Sequence, residues 1–256
     1  MKRDNITEAV QALIVKIIAT SRAGEGLYLV GGFRYRLLDG SSRRSVDVDY
    51  HWEEDLERKQ KEIRALLHSK LLPEVRRQLA YDGNIRLATG PEADSPFVKT
   101  VEVAVFKADS PHGRIEIPVD ITRIPCLDKP IVRTVSGVVY LSASDADMIE
   151  SKVVALFSRP FLAGRDLVDI FLFRDKFVSD SAMRLRRKFS DLTITPTDMA
   201  SKLGRLQADR AAHLRAIGEI IREQVDEQAA SHIRQAGGPA MVFDQVLSLL
   251  EKLLKP

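Results

Sequence analysis

The sequence predicts a protein of the mixed α/β class, in which a β-sheet core flanked by helices is followed by a C-terminal helical domain. Short runs that alternate apolar with charged residues, typical of strands, fall within residues 1–141. Within residues 142–256, apolar residues recur at every third or fourth position, which is typical of amphipathic helices. A chain of 256 residues is long enough for two domains, and we expect these two to meet near residue 142.

The first elements are predicted around a pair of adjacent glycines. The pattern Asn5-x-x-Glu8 has the spacing of a capping box, and apolar residues follow it at helical intervals, so a first helix is expected there. Residues 27–30 form a short apolar run that stops at Gly31, which predicts a strand entering a tight turn. The elements expected next are a helix over 33–38, a strand over 46–50, a charged helix over 53–79 that can bend at Pro73, and strands over 98–106, 114–122 and 138–141.

Helices are predicted from residue 142 onward. Two overlapping capping patterns, Ser142-x-x-Asp145 and Ser144-x-x-Asp147, stand before the first apolar residues of this part. The last helix is expected after the breaker Gly237-Gly238-Pro239. The further helices are expected over 162–173, 180–188, 198–228 and 241–254.

Composition is that of an ordinary globular protein, with 45% hydrophobic and 29% charged residues. The single cysteine, Cys126, excludes an intrachain disulfide and a cysteine-based zinc cluster, and it suits the reducing cytoplasm, where we expect the protein to work. The N-terminal residues do not have the features of a signal peptide. No apolar run approaches the roughly 20 residues of a membrane-spanning helix, so we expect no membrane partner.

Two clusters of basic residues are candidates for contacts with phosphate groups. The net charge of +3 is only mildly basic, so these local clusters say more than the total does. For the second cluster a solvated charged face is the more common explanation. The first cluster consists of Arg34, Arg36, Arg43 and Arg44, and the second of Arg184, Arg186, Arg187 and Lys188.

Two aspartates follow the glycine pair on the next predicted strand. Asp47 and Asp49 are two positions apart, so on a strand both side chains project from one face. Carboxylates that close repel each other unless a cation lies between them, and Mg²⁺ prefers carboxylate and phosphate oxygens. Gly31 and Gly32 let backbone N–H groups approach a phosphate closely. The alternatives are a plain turn for the glycines and a solvent-facing strand edge for the acids.

A third carboxylate is expected on a later strand, and two acids qualify. Glu116 and Asp120 lie on the same face of the predicted strand over 114–122. Asp120 is preferred, because Glu116 stands close to Pro118, which can mark an edge or a bulge. Asp120 can bind the catalytic metal ion and accept the proton of an attacking hydroxyl group.

A cation is expected from the helical part of the chain. Lys152 and Arg159 lie on one stripe of a predicted helix, next to an apolar row. Asp166 and Asp169 share one face of the next helix, where either can hold Lys152 or an arginine in position, or form an ordinary structural ion pair. A lysine that only covers apolar surface with its stem is the alternative for Lys152.

These residue types match the requirements of nucleotidyl transfer from a nucleoside triphosphate. That reaction needs a cradle for phosphates, divalent metal, an acid near the attacking hydroxyl and a cation facing the leaving phosphates. The chain lacks the metal-ligand spacings H-x-x-x-H and H-E-x-x-H, so zinc hydrolase chemistry is unsupported. It also lacks the two common glycine-rich phosphate loops.

In this order and spacing, the residues resemble the AbiEii/AbiGii toxin family of nucleotidyltransferases, within the DNA polymerase β-like nucleotidyltransferase superfamily. The resemblance covers about 140 residues, and Phe33 departs from it by standing where the family usually has a small hydroxyl residue. The matching elements are Gly31-Gly32, Arg43-x-Ser45-x-Asp47-x-Asp49-Tyr50, Val119-Asp120-Ile121, Lys152, and Arg165-Asp166-x-x-Asp169.

The resemblance implies a nucleotidyltransferase mixed sheet with a helical C-terminal domain that completes the active site. It implies an enzyme that uses Mg²⁺, with two metal ions expected, and a nucleoside triphosphate as substrate. It also implies the toxin of a toxin–antitoxin pair, with tRNA or another hydroxyl compound as acceptor and a cognate antitoxin protein as partner. The residues carried over as catalytic are Asp47, Asp49, Asp120, Lys152 and Asp166; as metal ligands, Asp47, Asp49 and Asp120; and as nucleotide-binding, Gly31, Gly32, Arg43, Ser45 and Lys152.

Two other functions are compatible with the sequence. One is nucleotidyl transfer to a small molecule, as antibiotic nucleotidyltransferases perform it. The other is a catalytically silent module of the same fold that binds nucleic acid or a partner protein. The presence of Asp47, Asp49, Lys152 and Asp166 together counts against a silent module.

Overall fold

The computed structural model describes residues 3–89, 95–107, 110–159 and 163–254, and it divides into two compact units. The sheet unit comprises Met1–Ser41, Ser45–Ile124 and Pro130–Ala143. The helical unit comprises Ser42–Arg44, Pro125–Lys129 and Ser144–Pro256. The chain thus passes between the units more than once, and its last passage, at Ala143, lies two residues beyond the end of the predicted first domain.

The sheet unit is built on a seven-stranded mixed sheet with the strand order β3-β4-β5-β2-β1-β7-β6. The pairs β2–β5 and β1–β7 are parallel, and the other neighbours are antiparallel. The strands are β1 Tyr28–Val30, β2 Val48–His51, β3 Asp82–Leu87, β4 Val98–Lys107, β5 Ser110–Thr122, β6 Ile131–Val135 and β7 Val138–Ser142. The helices are α1 Arg3–Ala19, α2 Gly31–Asp39 and α3 Leu56–Leu79, with a short 3₁₀ turn at Arg22–Gly24.

Alternation along the strands decides which face of the sheet is buried. In β5, Ile115, Ile117, Val119 and Ile121 are buried, while the residues between them are at least partly exposed. These residues join apolar side chains of α1 and α3 in one core. The polar residues at the alternate positions of β2, β4 and β5 therefore project from the opposite face of the sheet.

Two predicted helix starts are wrong in the sheet unit. The first helix begins at Arg3, so the Asn5-x-x-Glu8 pattern lies inside it. The third begins at Leu56, because Asp55 accepts a hydrogen bond from the Arg58 N–H and caps it. Helix α3 continues through Pro73 to Leu79, as predicted from its apolar spacing.

The helical unit contains seven helices among the described residues. Ser144 caps the first of them by accepting a hydrogen bond from the Asp147 N–H, as its capping pattern predicted. None of the helices in the described part of either unit combines the length and hydropathy needed to span a membrane. The seven are α4 Asp145–Ser158, α5 Gly164–Leu172, α6 Ser181–Asp191, α7 Pro196–Ala208, α8 Arg210–Gln224, α9 Glu227–Gln235 and α10 Gly238–Leu254, with a 3₁₀ turn at Arg174–Lys176.

The single helix predicted over 198–228 is wrong, because this stretch divides into α7, α8 and the start of α9. Helix α8 ends where Val225 forms an isolated β-bridge with Arg43. The Arg44 N–H donates to the Gln224 carbonyl at 2.7 Å, and the Asp226 N–H donates to the Ser42 carbonyl at 2.8 Å. Backbone groups that a longer helix would use are thus bonded to a distant segment of the same unit.

Candidate active site

Gly31 forms a tight turn between β1 and α2, and the carboxylate of Asp49 lies against it. The φ angle of Gly31 is +75°, in the left-handed region that side chains disfavour. A Cβ atom at this position would lie 1.8 Å from Asp49 Oδ2, so only glycine leaves room for that carboxylate. Gly31 also begins α2, whose N-terminal partial charge stabilises an anion. The requirement for glycine comes from Asp49, and phosphate contacts of Gly31 and Gly32 stay a prediction.

Asp49 and Asp120 lie side by side on neighbouring parallel strands. The register of β2 and β5 pairs them directly, across strands about 4.8 Å apart. Their chain neighbours Val48, Tyr50 and Val119 are buried in the core, so both carboxylates project from the opposite face. The structure therefore brings together two acids that are 71 positions apart in the sequence.

Hydroxyl groups donate hydrogen bonds to the carboxylates of Asp120 and Asp47 and so orient them. Thr100, paired with Asp120 in the register of β4 and β5, donates from Oγ1 to Asp120 Oδ1 at 2.5 Å. The Ser45 hydroxyl donates to Asp47 Oδ1, just before β2 begins. Sequence reasoning missed Thr100, because only the strand register places it beside Asp120. The contact of Ser45 with phosphate stays a prediction, and in the structure its hydroxyl serves Asp47.

Glu116 does not share this location. It lies four residues before Asp120 on the same face of β5, about 13 Å along the strand, and is paired with Ala104. Its carboxylate is largely exposed and forms an ion pair with Arg114 at 2.9 Å. On β5, the residues that pair with β2 run from Val119 to Thr122, so Glu116 lies beyond the end of that pairing. Of the two candidates for the third acid, Asp120 is the one next to Asp49.

The donor chemistry of Asp49 and Asp120 fits Mg²⁺ in part. Both offer carboxylate oxygens at one point of the sheet, and Mg²⁺ is commonly bound by one or two carboxylates together with substrate phosphates. Within the described ranges, no group of three or more His, Cys, Asp or Glu side chains is gathered closely enough to hold a metal ion. The predicted set of Asp47, Asp49 and Asp120 therefore does not form a complete three-ligand cage. The Asp49–Asp120 pair fits a metal that also takes ligands from its substrate.

Asp169 is the centre of a buried ion-pair group in the helical unit. Its carboxylate accepts hydrogen bonds from Arg43 Nε and, at 2.8 Å, from the second terminal nitrogen of Arg43. Lys152 Nζ lies 2.9 Å from Asp169 Oδ2. Burial raises the pKa of the Asp169 carboxyl, but the charges of Lys152 and Arg43 lower it more, so this pKa lies below its ordinary value. The contact predicted between an acid of this helix and Lys152 is confirmed.

Asp166 lies next to Asp169 in this group and is almost fully buried. Arg159 forms an ion pair with Asp166 Oδ2, and Lys152 Nζ lies 3.9 Å from Asp166 Oδ1. Lys152 and Arg159 thus approach the same carboxylate, as their shared stripe predicted. The Arg43 guanidinium is engaged by Asp169 and by Gln224, so its predicted phosphate contact remains a prediction. The reaction roles of Lys152 and Asp166 likewise remain predictions.

The basic residues and Phe33 of helix α2 have structural partners in the sheet unit. Arg34 is fully buried, donates from Nε to the Ser142 hydroxyl at 2.9 Å and forms an ion pair with Asp39. Arg36 forms an ion pair with Glu8 at 2.9 Å. Phe33 packs in the apolar core, which explains an aromatic residue where a hydroxyl is usual in the family that the sequence resembles.

The solvated face predicted for the second basic cluster is wrong for two of its members. Lys188 is fully buried, with Nζ 2.7 Å from Asp147 and 2.8 Å from Glu150. Arg184 forms ion pairs with the same two carboxylates. Arg187 is exposed, as is Arg186. Burial of charged groups is tolerated here because each ammonium or guanidinium group meets carboxylates that are themselves hydrogen-bonded.

Comparison of the whole chain with solved structures identifies the fold. MenT4, a nucleotidyltransferase toxin from Mycobacterium tuberculosis, superposes with a TM-score of 0.52 over 98% of this chain and 95% of its own, at 12% identity. A Helicobacter pylori protein considered a nucleotidyltransferase matches with a TM-score of 0.57 over 100% of both chains, at 17% identity. The chain has a nucleotidyltransferase fold. JHP933 from Helicobacter pylori also matches, with a TM-score of 0.54 over 99% of this chain and 94% of its own, at 16% identity.

The comparisons establish the fold and leave the family open. At 12–17% identity, these matches show a likeness of the fold. The sequence matches no protein-family model and is significantly similar to no curated protein. The mixed α/β class with C-terminal helices is therefore confirmed, and the resemblance to the AbiEii/AbiGii family stays a prediction.

Proposed function

We propose that the protein is a Mg²⁺-dependent nucleotidyltransferase that transfers a nucleoside monophosphate from a nucleoside triphosphate to a hydroxyl acceptor. The observation that carries this proposal is the pairing of Asp49 with Asp120 on adjacent strands, beside the glycine turn at Gly31. Two carboxylates of this kind on a nucleotidyltransferase fold would supply part of the oxygen ligands of Mg²⁺, with the phosphates of the substrate supplying others. The fold shared with MenT4 and the Helicobacter pylori protein supports the same reaction class.

The chain's own residues have defined tasks in this reaction. When bound, Mg²⁺ supplies charge neutralisation at the α-phosphate and at the leaving pyrophosphate. Asp49 and Asp120 would hold it, with Thr100 fixing the orientation of Asp120 through its hydrogen bond. Asp120 would accept the proton of the acceptor hydroxyl, whose oxygen forms a bond to the α-phosphorus as the bond to pyrophosphate breaks.

The acceptor and the biological role are further parts of the proposal. MenT4 is described as a nucleotidyltransferase toxin, and its fold covers nearly the whole of this chain. We infer that this protein is likewise a toxin, that its acceptor is the terminal hydroxyl of tRNA, and that an antitoxin protein neutralises it in the cytoplasm. The sequence resemblance to AbiEii/AbiGii toxins supports the same role.

A transfer assay with a matched pair of variants tests this proposal. Purified protein is incubated with Mg²⁺, total tRNA and each α-³²P-labelled nucleoside triphosphate in turn. Wild-type protein is expected to label tRNA with at least one nucleotide, and Asp49→Asn to reduce labelling on the order of a thousandfold, because it removes a metal ligand. Glu116→Gln changes an acid of the same sheet face outside the Asp49–Asp120 pair and is expected to leave labelling unchanged.

The other outcomes of this assay separate the rival functions. Label that appears only in an added small hydroxyl compound would assign the reaction to small-molecule modification. No transfer with any nucleotide, together with tRNA retention that Asp49→Asn leaves intact, would make the protein a binding module.

Lys152→Met in the same assay tests the role predicted for the lysine. Circular dichroism verifies that the variant still folds.

A further inference from the structure

We propose that Gln11 is a positioning residue that fixes the backbone carrying Asp47 and leading into Asp49. This inference rests on the proposed function, because it assigns Gln11 to the geometry of the metal-binding acids. Gln11 lies on helix α1, far from the acids in sequence, and nothing in its local pattern resembles a catalytic motif. Its side chain donates from Nε2 to the Ser45 carbonyl at 3.0 Å and to the Asp47 carbonyl at 3.2 Å.

The position of Gln11 in the helix makes these two bonds necessary. Gln11 is 1% exposed, and its neighbours on α1, Val10, Ile14 and Ile18, are buried apolar residues. A buried amide that lacks hydrogen bonds destabilises the folded protein, so an apolar residue would be expected at this place in a helix that only had to pack. The amide has two N–H groups, and the two carbonyl oxygens of the acid segment accept from it.

The two carbonyls that Gln11 binds belong to Ser45 and Asp47, on either side of Val46. Val46 is 55% exposed, so the segment has little packing at its centre to hold it. Gln11 therefore holds this segment from the core side at residues 45 and 47. The Ser45 hydroxyl in turn donates to Asp47 Oδ1. The chain of contacts runs from the helix, through the backbone, to the carboxylate.

The same contacts are compatible with a purely structural role for Gln11, but that role predicts a different effect of substitution. If Gln11 only satisfies two carbonyls, its loss lowers the stability of the sheet unit and leaves the affinity of the acids for metal unchanged. If it positions the acids, its loss also weakens metal binding beyond what an equally destabilising substitution does. Groups that orient metal ligands are typically worth 10–100-fold in metal affinity.

Mn²⁺ binding, followed by loss of the free-ion EPR signal, distinguishes the two roles in the full-length protein. Gln11→Met keeps the length of the side chain and removes both donors, and is expected to weaken Mn²⁺ binding about tenfold. Val10→Ala, at the adjacent buried position of α1, destabilises by loss of packing and is expected to bind Mn²⁺ like the wild type. Thermal unfolding of both variants verifies that their stabilities are comparable.

Gln11→Asn keeps the amide on a side chain that is shorter by one methylene group. It replaces Gln11→Met in these measurements if Gln11→Met does not fold. It is expected to show a weaker form of the same Mn²⁺ defect, because its donors no longer reach both carbonyls. Hydrogen–deuterium exchange gives a readout that does not involve metal. Either Gln11 variant is expected to speed exchange of the amides of residues 45–49, relative to Val10→Ala.

The outcomes separate this inference from the proposed function. Wild-type protein that binds no Mn²⁺, either alone or with a nucleoside triphosphate present, would overturn the proposed metal-dependent reaction and, with it, the role of Gln11. Wild-type protein that binds Mn²⁺, with Gln11 variants that bind it equally well, would overturn the inference alone. Unchanged amide exchange in residues 45–49 of a Gln11 variant would also overturn it.

Discussion

The two units of this protein hold their acidic residues in different ways. In the sheet unit, Asp47 and Asp120 are partly exposed and accept hydrogen bonds from the hydroxyls of Ser45 and Thr100. In the helical unit, four carboxylates are almost completely buried and contact lysine or arginine. These are Asp166 and Asp169 with Arg43, Lys152 and Arg159, and Asp147 and Glu150 with Arg184 and Lys188.

The two kinds of contact suit the acids to different roles. A hydroxyl orients a carboxylate without cancelling its charge, so Asp120 is prepared for a cation that arrives with a substrate. A buried carboxylate that already contacts a lysine and an arginine, like Asp169, has its charge balanced within the protein. We therefore expect the acids of the sheet unit to matter for ligand binding, and those of the helical unit to matter for stability and for the placement of cations.

The largest effect on stability is expected at Lys188. Lys188→Met leaves the buried carboxylates of Asp147 and Glu150 without this ammonium group, and should lower the free energy of unfolding by about 3–5 kcal/mol. Arg187→Met, at the exposed neighbouring position of α6, should change it by no more than about 0.5 kcal/mol. Urea unfolding monitored by circular dichroism measures both. Equal values for the two variants would mean that the buried pairs carry no special stability.

An intermediate effect is expected at Gly31, where backbone and carboxylate meet. Gly31→Ala combines a left-handed φ angle with a Cβ atom that overlaps Asp49, and should cost about 3 kcal/mol of unfolding free energy. Gly40→Ala has a left-handed φ angle of +65° and open space around its Cβ, so it should cost about 1 kcal/mol. In an Mn²⁺ titration, Gly31→Ala should bind the metal more weakly than the wild type, whereas Gly40→Ala should bind it equally well. A Gly31 variant that matches the Gly40 variant in both measurements would refute the contact.

The smallest effect expected is a change in acid sensitivity at Asp169. Its pKa in the folded protein is lowered from the ordinary value of 3.8, because Lys152 and Arg43 outweigh the effect of burial. Its contribution to stability is therefore present above pH 3.8 and is lost as the pH falls through the lower, folded-state value. Asp169→Asn removes this dependence.

The comparison of wild type with Asp169→Asn measures that contribution. The difference in unfolding free energy between the two proteins should be constant near neutral pH and should shrink once the pH falls below about 4. Urea unfolding at a series of pH values records it. A difference that stays constant down to strongly acidic pH would show that the carboxylate is not stabilised by its two cations.

Sequence patterns predicted much of the fold, since most of the strands and helices follow from local periodicity and capping. The stretch over 198–228 shows where such patterns fail. Its apolar spacing is continuous, but α8 ends at Gln224, because Val225 pairs with Arg43, 182 positions earlier. A distant backbone partner has no local signature. Residue 162, the first of the predicted helix over 162–173, lies outside the described residues.

For the candidate site, the sequence alone specifies which acids and glycines are present. The two-residue spacing of Asp47 and Asp49 predicts one shared strand face, but β2 begins at Val48, so Asp47 lies just before the strand. The sequence also placed Lys152 and Arg159 on one stripe. The three-dimensional fold determines that Asp120 rather than Glu116 pairs with Asp49, that Asp49 requires glycine at position 31, and that Lys188 is buried. Periodicity is a property of neighbouring residues, whereas strand register and the burial of a charge depend on partners that are distant in the chain.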